Sequence, residues 1–203
     1  MKKANANQTQ LHELLYQALE TELGGEQVYK TALSCTLNQD LQKEWEGYLR
    51  ETQTHQRVLY TVFEQLGLDP AQQTPGRKVL GHIADSLVKA MKMAMTDGNA
   101  EAAELVAAEC VILAETKDHM NWDLIGLAAE QTKDAKVAKA LKQAHEAVAV
   151  DEAHHLYHTQ GWARELWIQS LGYPAVLPPP EEKKQVETAI GASRAEQQRE
   201  KLF

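Results

Sequence analysis

Residues 67–99 read GLDPAQQTPGRKVLGHIADSLVKAMKMAMTDGN, and this stretch decides how the rest of the chain is wired. Gly67, Pro70, Pro75 and Gly76 interrupt helical order at its start, and Thr96, Asp97, Gly98 and Asn99 interrupt it at its end. Between the breaks, Leu80, Ile83, Leu87 and Met91 recur at helical spacing, which predicts a short helix from about Arg77 to Met95. The stretch is therefore a long connection carrying a helix of its own.

Two long helices are expected before it. The first runs from about Gln8 to Ser34, with Leu11, Leu15, Ala18, Tyr29 and Leu33 on one face. The second, capped by Asn38 or Asp40, continues to about Leu66 with Leu41, Trp45, Tyr48, Leu59 and Val62 inward. Two more follow it. One spans about Ala100 to Gln131 with Leu105, Ile112, Trp122 and Ala129 inward, and the other spans about Ala135 to Leu171. Gly172, Tyr173 and the VLPPP run stop the last. Strand-like alternation and Asn-Gly hairpin signals are both missing. The expectation is an all-α chain. Residues 1–171 form a four-helix bundle of two antiparallel hairpins joined by one long crossover. Residues 172–203 form a Pro-rich turn and a polar helical C-terminal arm, anchored by Val186, Ile190 and Leu202, over the bundle or toward a partner.

Composition narrows the function classes. The chain has 203 residues, 43% hydrophobic and 25% charged, which suits a globular protein with a substantial core. It carries 21 Lys+Arg against 29 Asp+Glu, a net charge of −8, which argues against nucleic-acid binding. No apolar run reaches the length of a membrane span, and the N-terminal residues have no signal-peptide core, so a cytoplasmic protein is expected. Cys35 and Cys110 make no disulfide framework and show no Cys-His-acid ordering. Phosphate loops, dinucleotide fingerprints and zinc cysteine patterns are lacking.

The informative residues are polar groups near the middle of each inward face. The first helix offers Glu22, with Glu26 one turn on and Tyr29 seven residues on. The second offers Glu51 and His55, four apart on one face. The third offers Glu115, His119 and Trp122; the fourth offers Glu152 and His155. Any one pair says little, because glutamate is usually solvated. His154 and His158, four apart, read as a surface pair. Four helices in order, each with a central candidate, say more. Carboxylate and imidazole together suit non-haem iron or manganese. Two Glu plus two Glu-x-x-His pairs is a di-iron carboxylate arrangement, in which four carboxylates match the charge of two divalent ions. Without metal, the same carboxylates would repel one another, with raised pKa values or water entry as the consequence. Trp45, Tyr48, Tyr157, Trp162 and Trp167 read as core and interface packing, with Trp162 a secondary candidate for a channel wall.

Glu22-Leu23-Gly24-Gly25-Glu26-Gln27-Val28-Tyr29 resembles the first-helix pattern of bacterioferritin and rubrerythrin, members of the ferritin-like superfamily. Glu152-Ala153-His154-His155 is similar to their fourth-helix Glu-x-x-His, and Glu115 through Trp122 to their third-helix pattern, with Trp in place of Tyr. Residues 79–129, running into Asp123-Leu124-Ile125-Gly126-Leu127-Ala128, resemble the YciE/YciF-type stress-associated ferritin-like proteins. The resemblance covers about residues 8–170. It implies a ferritin-like bundle, often a homodimer, with two iron ions per chain (manganese as the alternative) reacting with oxygen or peroxide. The implied ligands are Glu22, Glu51, His55, Glu115, Glu152 and His155. His119 is an added ligand or a partner of one. Tyr29 and Trp122 would hydrogen-bond ligands or relay an electron.

The second helix departs from the pattern, with Glu51-Thr52-Gln53-Thr54-His55 one residue longer than Glu-x-x-His. Either Thr52 replaces the family's Glu, or His55 itself stands at that Glu's place; both put Glu51 beside the site. Gly24-Gly25 permits a close helix approach or a bend near Glu22. The competing function class is a non-catalytic, stress-related or structural bundle that has lost its metal and acts through oligomerisation or a partner. Iron storage in a large cage fits less well, because the polar arm does not look like a cage ferritin's short fifth helix.

Overall fold

Four of the helices begin where a side chain takes over backbone N–H groups that the helix leaves orphaned. Asn38 Oδ1 accepts from the N–H groups of Asp40 and Leu41, and Thr74 Oγ1 from that of Arg77. Asn99 Oδ1 accepts from Ala102 N–H, and Asp134 Oδ1 from those of Lys136 and Val137. Each such cap is worth about 1 kcal/mol. The computed structural model describes residues 2–185 together with residues 194, 197 and 198. Its helices are α1 (Lys2–Cys35), α2 (Gln39–Leu66), α3 (Pro75–Thr96), α4 (Ala100–Gln131) and α5 (Ala135–Ser170). The α2 helix ends at Gly67, whose φ of 69° needs a residue without a Cβ penalty. The α3 helix starts two residues earlier than predicted, because Pro75 fits the first turn after a Thr74 cap. The α1 helix extends upstream of Gln8, since that segment contains no helix breaker.

The helices form a bundle. The α1/α2 and α4/α5 pairs are hairpins, and α1 also packs on α4 and α2 on α5. Polar contacts fix the directions. Thr21 meets Asn121 and Glu22 meets Trp122 at one level, while Glu104 accepts from the N–H groups of Leu37 and Asn38, both at 2.7 Å, at another. So α1 and α4 are antiparallel. Tyr48 with His154, and His55 with Glu152, show the same for α2 and α5. It follows that α2 and α4 run the same way, and the crossover must return the chain along the bundle. The α3 helix makes that return, packed on α1 and α4. The close approach expected at Gly24 is made to α3: a Cβ there would stand 2.5 Å from Ala84 Cβ. Arg77 adds an ion pair from Nε to Glu20 Oε2 at 2.6 Å. Ile83, expected inward, is 46% exposed, whereas Leu80 and Met91 are buried. The stripe is narrower than its spacing suggests because α3 packs on one side only.

The apolar core has two compartments. One holds Leu15, Leu19, Leu59, Phe63, Trp122 and Ile125. The other holds Tyr29, Trp45, Met91, Val111 and Trp162. Each fully buried large side chain contributes about 1.5–3 kcal/mol. Along every one of α1, α2, α4 and α5, a buried polar layer falls between the compartments: Glu22, Thr52 and His55, Glu115 and Asp118, Glu152 and His155.

Beyond α5 the chain folds back. Glu165 Oε2 accepts from Val176 N–H at 2.9 Å, and Arg164 donates to Glu182 Oε1 at 2.8 Å. The expected polar arm, with Val186, Ile190 and Leu202, falls for the most part outside the described residues. Among the described residues no helix is long and apolar enough to cross a membrane.

Candidate metal centre

Helical spacing puts the polar groups on the inward faces, and antiparallel packing brings them to one level. Two sets of three result. Glu22, His55 and Glu152 present ligand-competent atoms within 4.8 Å of one another, and so do Glu115, Glu152 and His155. All of these side chains are buried, and Glu152 belongs to both sets. His55 Nδ1 lies 2.8 Å from Glu152 Oε1 and 3.5 Å from Glu22 Oε1. His155 Nδ1 lies 3.7 Å from Glu115 Oε2 and 4.0 Å from Glu152 Oε1. The two imidazoles stack with centroids 5.7 Å apart.

The surroundings hold these groups in place. Trp122 Nε1 donates to Glu22 Oε1 at 2.8 Å. Glu51, 43% exposed, reaches in from the rim and meets His155 Nε2 at 2.7 Å. The other face of His155 carries Tyr48, with ring centroids 4.4 Å apart. Tyr29 is buried beside Glu115 and His155, and its hydroxyl has no hydrogen bond of good geometry.

The residues fit a cation on an observation independent of spacing. Glu22 Oε2, Glu115 Oε2, Glu152 Oε2, His55 Nδ1 and His155 Nδ1 are all buried and none has a hydrogen-bond partner. His55 Nδ1 is at ion-pair distance from Glu152, but the angle does not make a hydrogen bond. Buried polar atoms are normally satisfied, so a group of orphans converging from four helices calls for a ligand.

Ionisation follows the same logic. Burial raises the carboxyl pKa of Glu22 and Glu152, with His55 opposing it. Burial raises Glu115 to about 7, against the pull of Tyr29, His55 and His119. Burial works against a charged His55, but Glu152 and Glu22 override it and lift the ring to about 11. Burial depresses His155, with Glu51 opposing. Burial therefore favours protonated carboxyls within the layer, and Glu152 and Glu22 favour a charged His55.

No family model, curated protein or solved structure matches this chain.

The structure brings together Glu22, His55, Glu115, Glu152 and His155, with Glu51, Tyr29 and Trp122 at their edge. His55 reaches the centre itself, and Thr52 is buried one turn away, so His55 takes the inward place on α2. His119 does not join either set; its Nδ1 turns to Asp123 Oδ2 at 3.3 Å and its ring to Tyr157. Glu26 stands outside both sets, half-buried, paired with Lys30 at 2.6 Å and accepting from Gln56 at 2.9 Å. Trp162 is fully buried in the apolar core. Cys35 and Cys110 are buried, and burial raises both thiols, Cys110 to about 11, so neither is a ready nucleophile.

Sequence reasoning missed Asp118. It is 4% exposed, its Oδ1 lacks a partner, and burial with Glu152, Glu22 and Glu115 nearby raises its pKa well above the usual range. Its signal was its place three residues after Glu115, on the same helical face. The reading of His154 and His158 as a surface pair is corrected: His158 is 2% exposed, because α2 and the returning chain cover that side of α5.

Proposed function

We propose that the polar layer is a dinuclear carboxylate metal centre in a ferritin-like bundle, with Glu152 shared between two ions. The observation that carries this reading is the pair of buried ligand sets that have Glu152 in common. Glu22 and His55 would hold one ion and Glu115 and His155 the other, with Glu51 in reach of the second. The hard carboxylates and imidazoles favour iron, with manganese as the alternative. Two such ions would supply electrons to oxygen or peroxide. The helix wiring, with parallel α2 and α4 joined through α3, supports the ferritin-like assignment, since one long crossover is that fold's mark.

The chain's own residues have definable tasks. Trp122 orients Glu22 through its indole N–H. Glu51 orients His155 and, at the rim, offers a route for protons between water and the buried layer. Tyr29, beside Glu115, is held as the neutral phenol by burial, so its hydroxyl can donate to Glu115 or to a bound oxidant. The two apolar compartments keep bulk water from both sides of the layer.

The test is metal content per chain after anaerobic Fe(II) loading and desalting, for the wild type and Glu152→Ala. The expected result is about two ions in the wild type and loss of both in the variant, because the shared ligand serves each. Near-zero iron and manganese in the wild type would overturn the proposal.

A second reading has one observation in its favour. His55 between Glu22 and Glu152 neutralises part of the layer without any metal. On that reading the protein is a structural bundle with a protonated polar core, acting through oligomerisation. Near-zero metal with unchanged stability on chelation would favour it.

A further inference from the structure

We propose a separate mononuclear site for a divalent transition metal, Zn2+ first, formed by Glu44, His154 and His158 and closed by Glu181 from the chain returning after α5. The ligand-competent atoms of Glu44, His154 and His158 lie within 4.8 Å of one another. Helical geometry explains why this site is distinct from the central one. His154 and His155 are neighbours in sequence, so their side chains diverge by about 100° around α5. His155 points into the bundle; His154 points to its edge, where α2 and the returning chain meet. The Tyr48 ring stands between them, 4.4 Å from His155 and 5.4 Å from His154.

Three elements build the site. The α5 helix supplies His154 and His158 one turn apart, with ring centroids 5.1 Å apart, a spacing at which two imidazoles can chelate one ion. The antiparallel α2 helix supplies Glu44, one turn from Tyr48. The returning chain supplies Glu181, whose Oε2 lies 3.0 Å from His154 Nε2. Its position is set next door: buried Glu182 packs where a Cβ on Gly161 would come within 2.9 Å of Oε1, and bonds Arg164.

An independent observation points to a ligand. His158 is 2% exposed, yet its Nδ1 has no hydrogen-bond partner. A buried ring nitrogen normally finds a partner. Glu181 and Lys183 place charges of opposite sign near His158. Two imidazoles and one or two carboxylates make a nitrogen–oxygen set that suits tetrahedral Zn2+.

The experiment is equilibrium dialysis of the full chain against Zn2+ alone, with zinc and protein measured after dialysis. It compares the wild type, Glu44→Gln, His158→Asn and Glu152→Ala. Glu44→Gln and His158→Asn should each hold about one Zn2+ fewer than the wild type, with affinity for that ion weakened more than 100-fold, beyond the effect of losing an outer partner. Glu152→Ala, aimed at the central layer, should keep this ion. If His158→Asn does not fold, Glu44→Gln decides, since Glu44 is partly exposed. Zinc content equal to wild type in Glu44→Gln overturns the proposal, even where Glu152→Ala loses metal. A wild type holding about one Zn2+, kept in Glu152→Ala and lost in Glu44→Gln, supports this site and counts against the central one.

Discussion

Trp122 Nε1 donates a 2.8 Å hydrogen bond to Glu22 Oε1, with the Trp 1% and the Glu 0% exposed. Both side chains are shut off from bulk solvent, so this bond fixes the carboxylate whose Oε1 also lies 3.5 Å from His55 Nδ1. Trp122→Phe keeps most of the ring and removes the donor. It should cost about 1–3 kcal/mol in the metal-free protein, read by urea denaturation. Metal affinity should fall about 10–100-fold, read by competition with a chelator. Unchanged metal affinity would show that Trp122 only packs.

Asp118 faces Glu22, Glu115 and Glu152 from α4 with an unpartnered oxygen. Burial and the neighbouring carboxylates raise its pKa, which disfavours the ionised form in the metal-free protein. Asp118→Asn mimics the neutral form at similar volume. The variant should be more stable than the wild type at pH 8 without metal, by about 1 kcal/mol or more, the worth of a single pKa unit. Chemical denaturation in chelator measures this. A destabilised variant would mean that Asp118 is ionised and paired.

Stability of the metal-free protein should fall as pH rises above neutral. Asp118 and Glu152 have raised carboxyl pKa values, and His55 is raised from 6.5 to about 11. The folded state therefore binds more protons than the unfolded chain across that window, and the slope of stability with pH is negative. His155 and His158 are lowered, and work the other way only below 6.5. Glu115, raised from 4.5 to about 7, opposes them there. At the proposed centre, bound metal would replace those protons, so loading should flatten or reverse the alkaline loss. Denaturation midpoints at pH 7 and pH 9, with chelator and with metal, check both statements; a midpoint in chelator that rises with pH would contradict them.

Gly24 lets α3 lie against α1, since a Cβ there would meet Ala84 Cβ at 2.5 Å. Gly24→Ala gains about 1 kcal/mol of helix propensity and loses more to the clash. A net loss of about 1–2 kcal/mol is expected from overpacking. Ala84→Gly in the same chain should restore part of it, and a double-mutant cycle gives the coupling. Additive effects would mean that α3 shifts without cost.

The helices were legible because their signals are local. Asn99, Asp134 and Gly67 bound them, and apolar residues repeat at helical spacing, so α4 comes out as Ala100–Gln131 both in the sequence and in space. The central layer was legible for a related reason: Glu22, Glu115, Glu152 and His155 each sit on the inward face of a long helix, and a face is a property of one helix. The contacts of the C-terminal fold-back were not legible, since the bond of Glu165 with Val176 joins segments with no shared periodicity.

By itself the sequence determined which residues form helices and set Glu22, Glu115, Glu152 and His155 on inward faces, because spacing and capping act within a few residues. Only the tertiary structure decided which of those groups meet. Glu152 contacts His55 because α2 and α5 are antiparallel at that register, and a shift of one turn would separate them. His119, one turn from Glu115, pairs with Asp123, and Asp118 is the residue buried against the layer. Burial of His158 likewise depends on α2 and the chain beyond α5 closing over it. Burial, register and charge proximity are properties of several segments at once, and no single stretch of the chain encodes them.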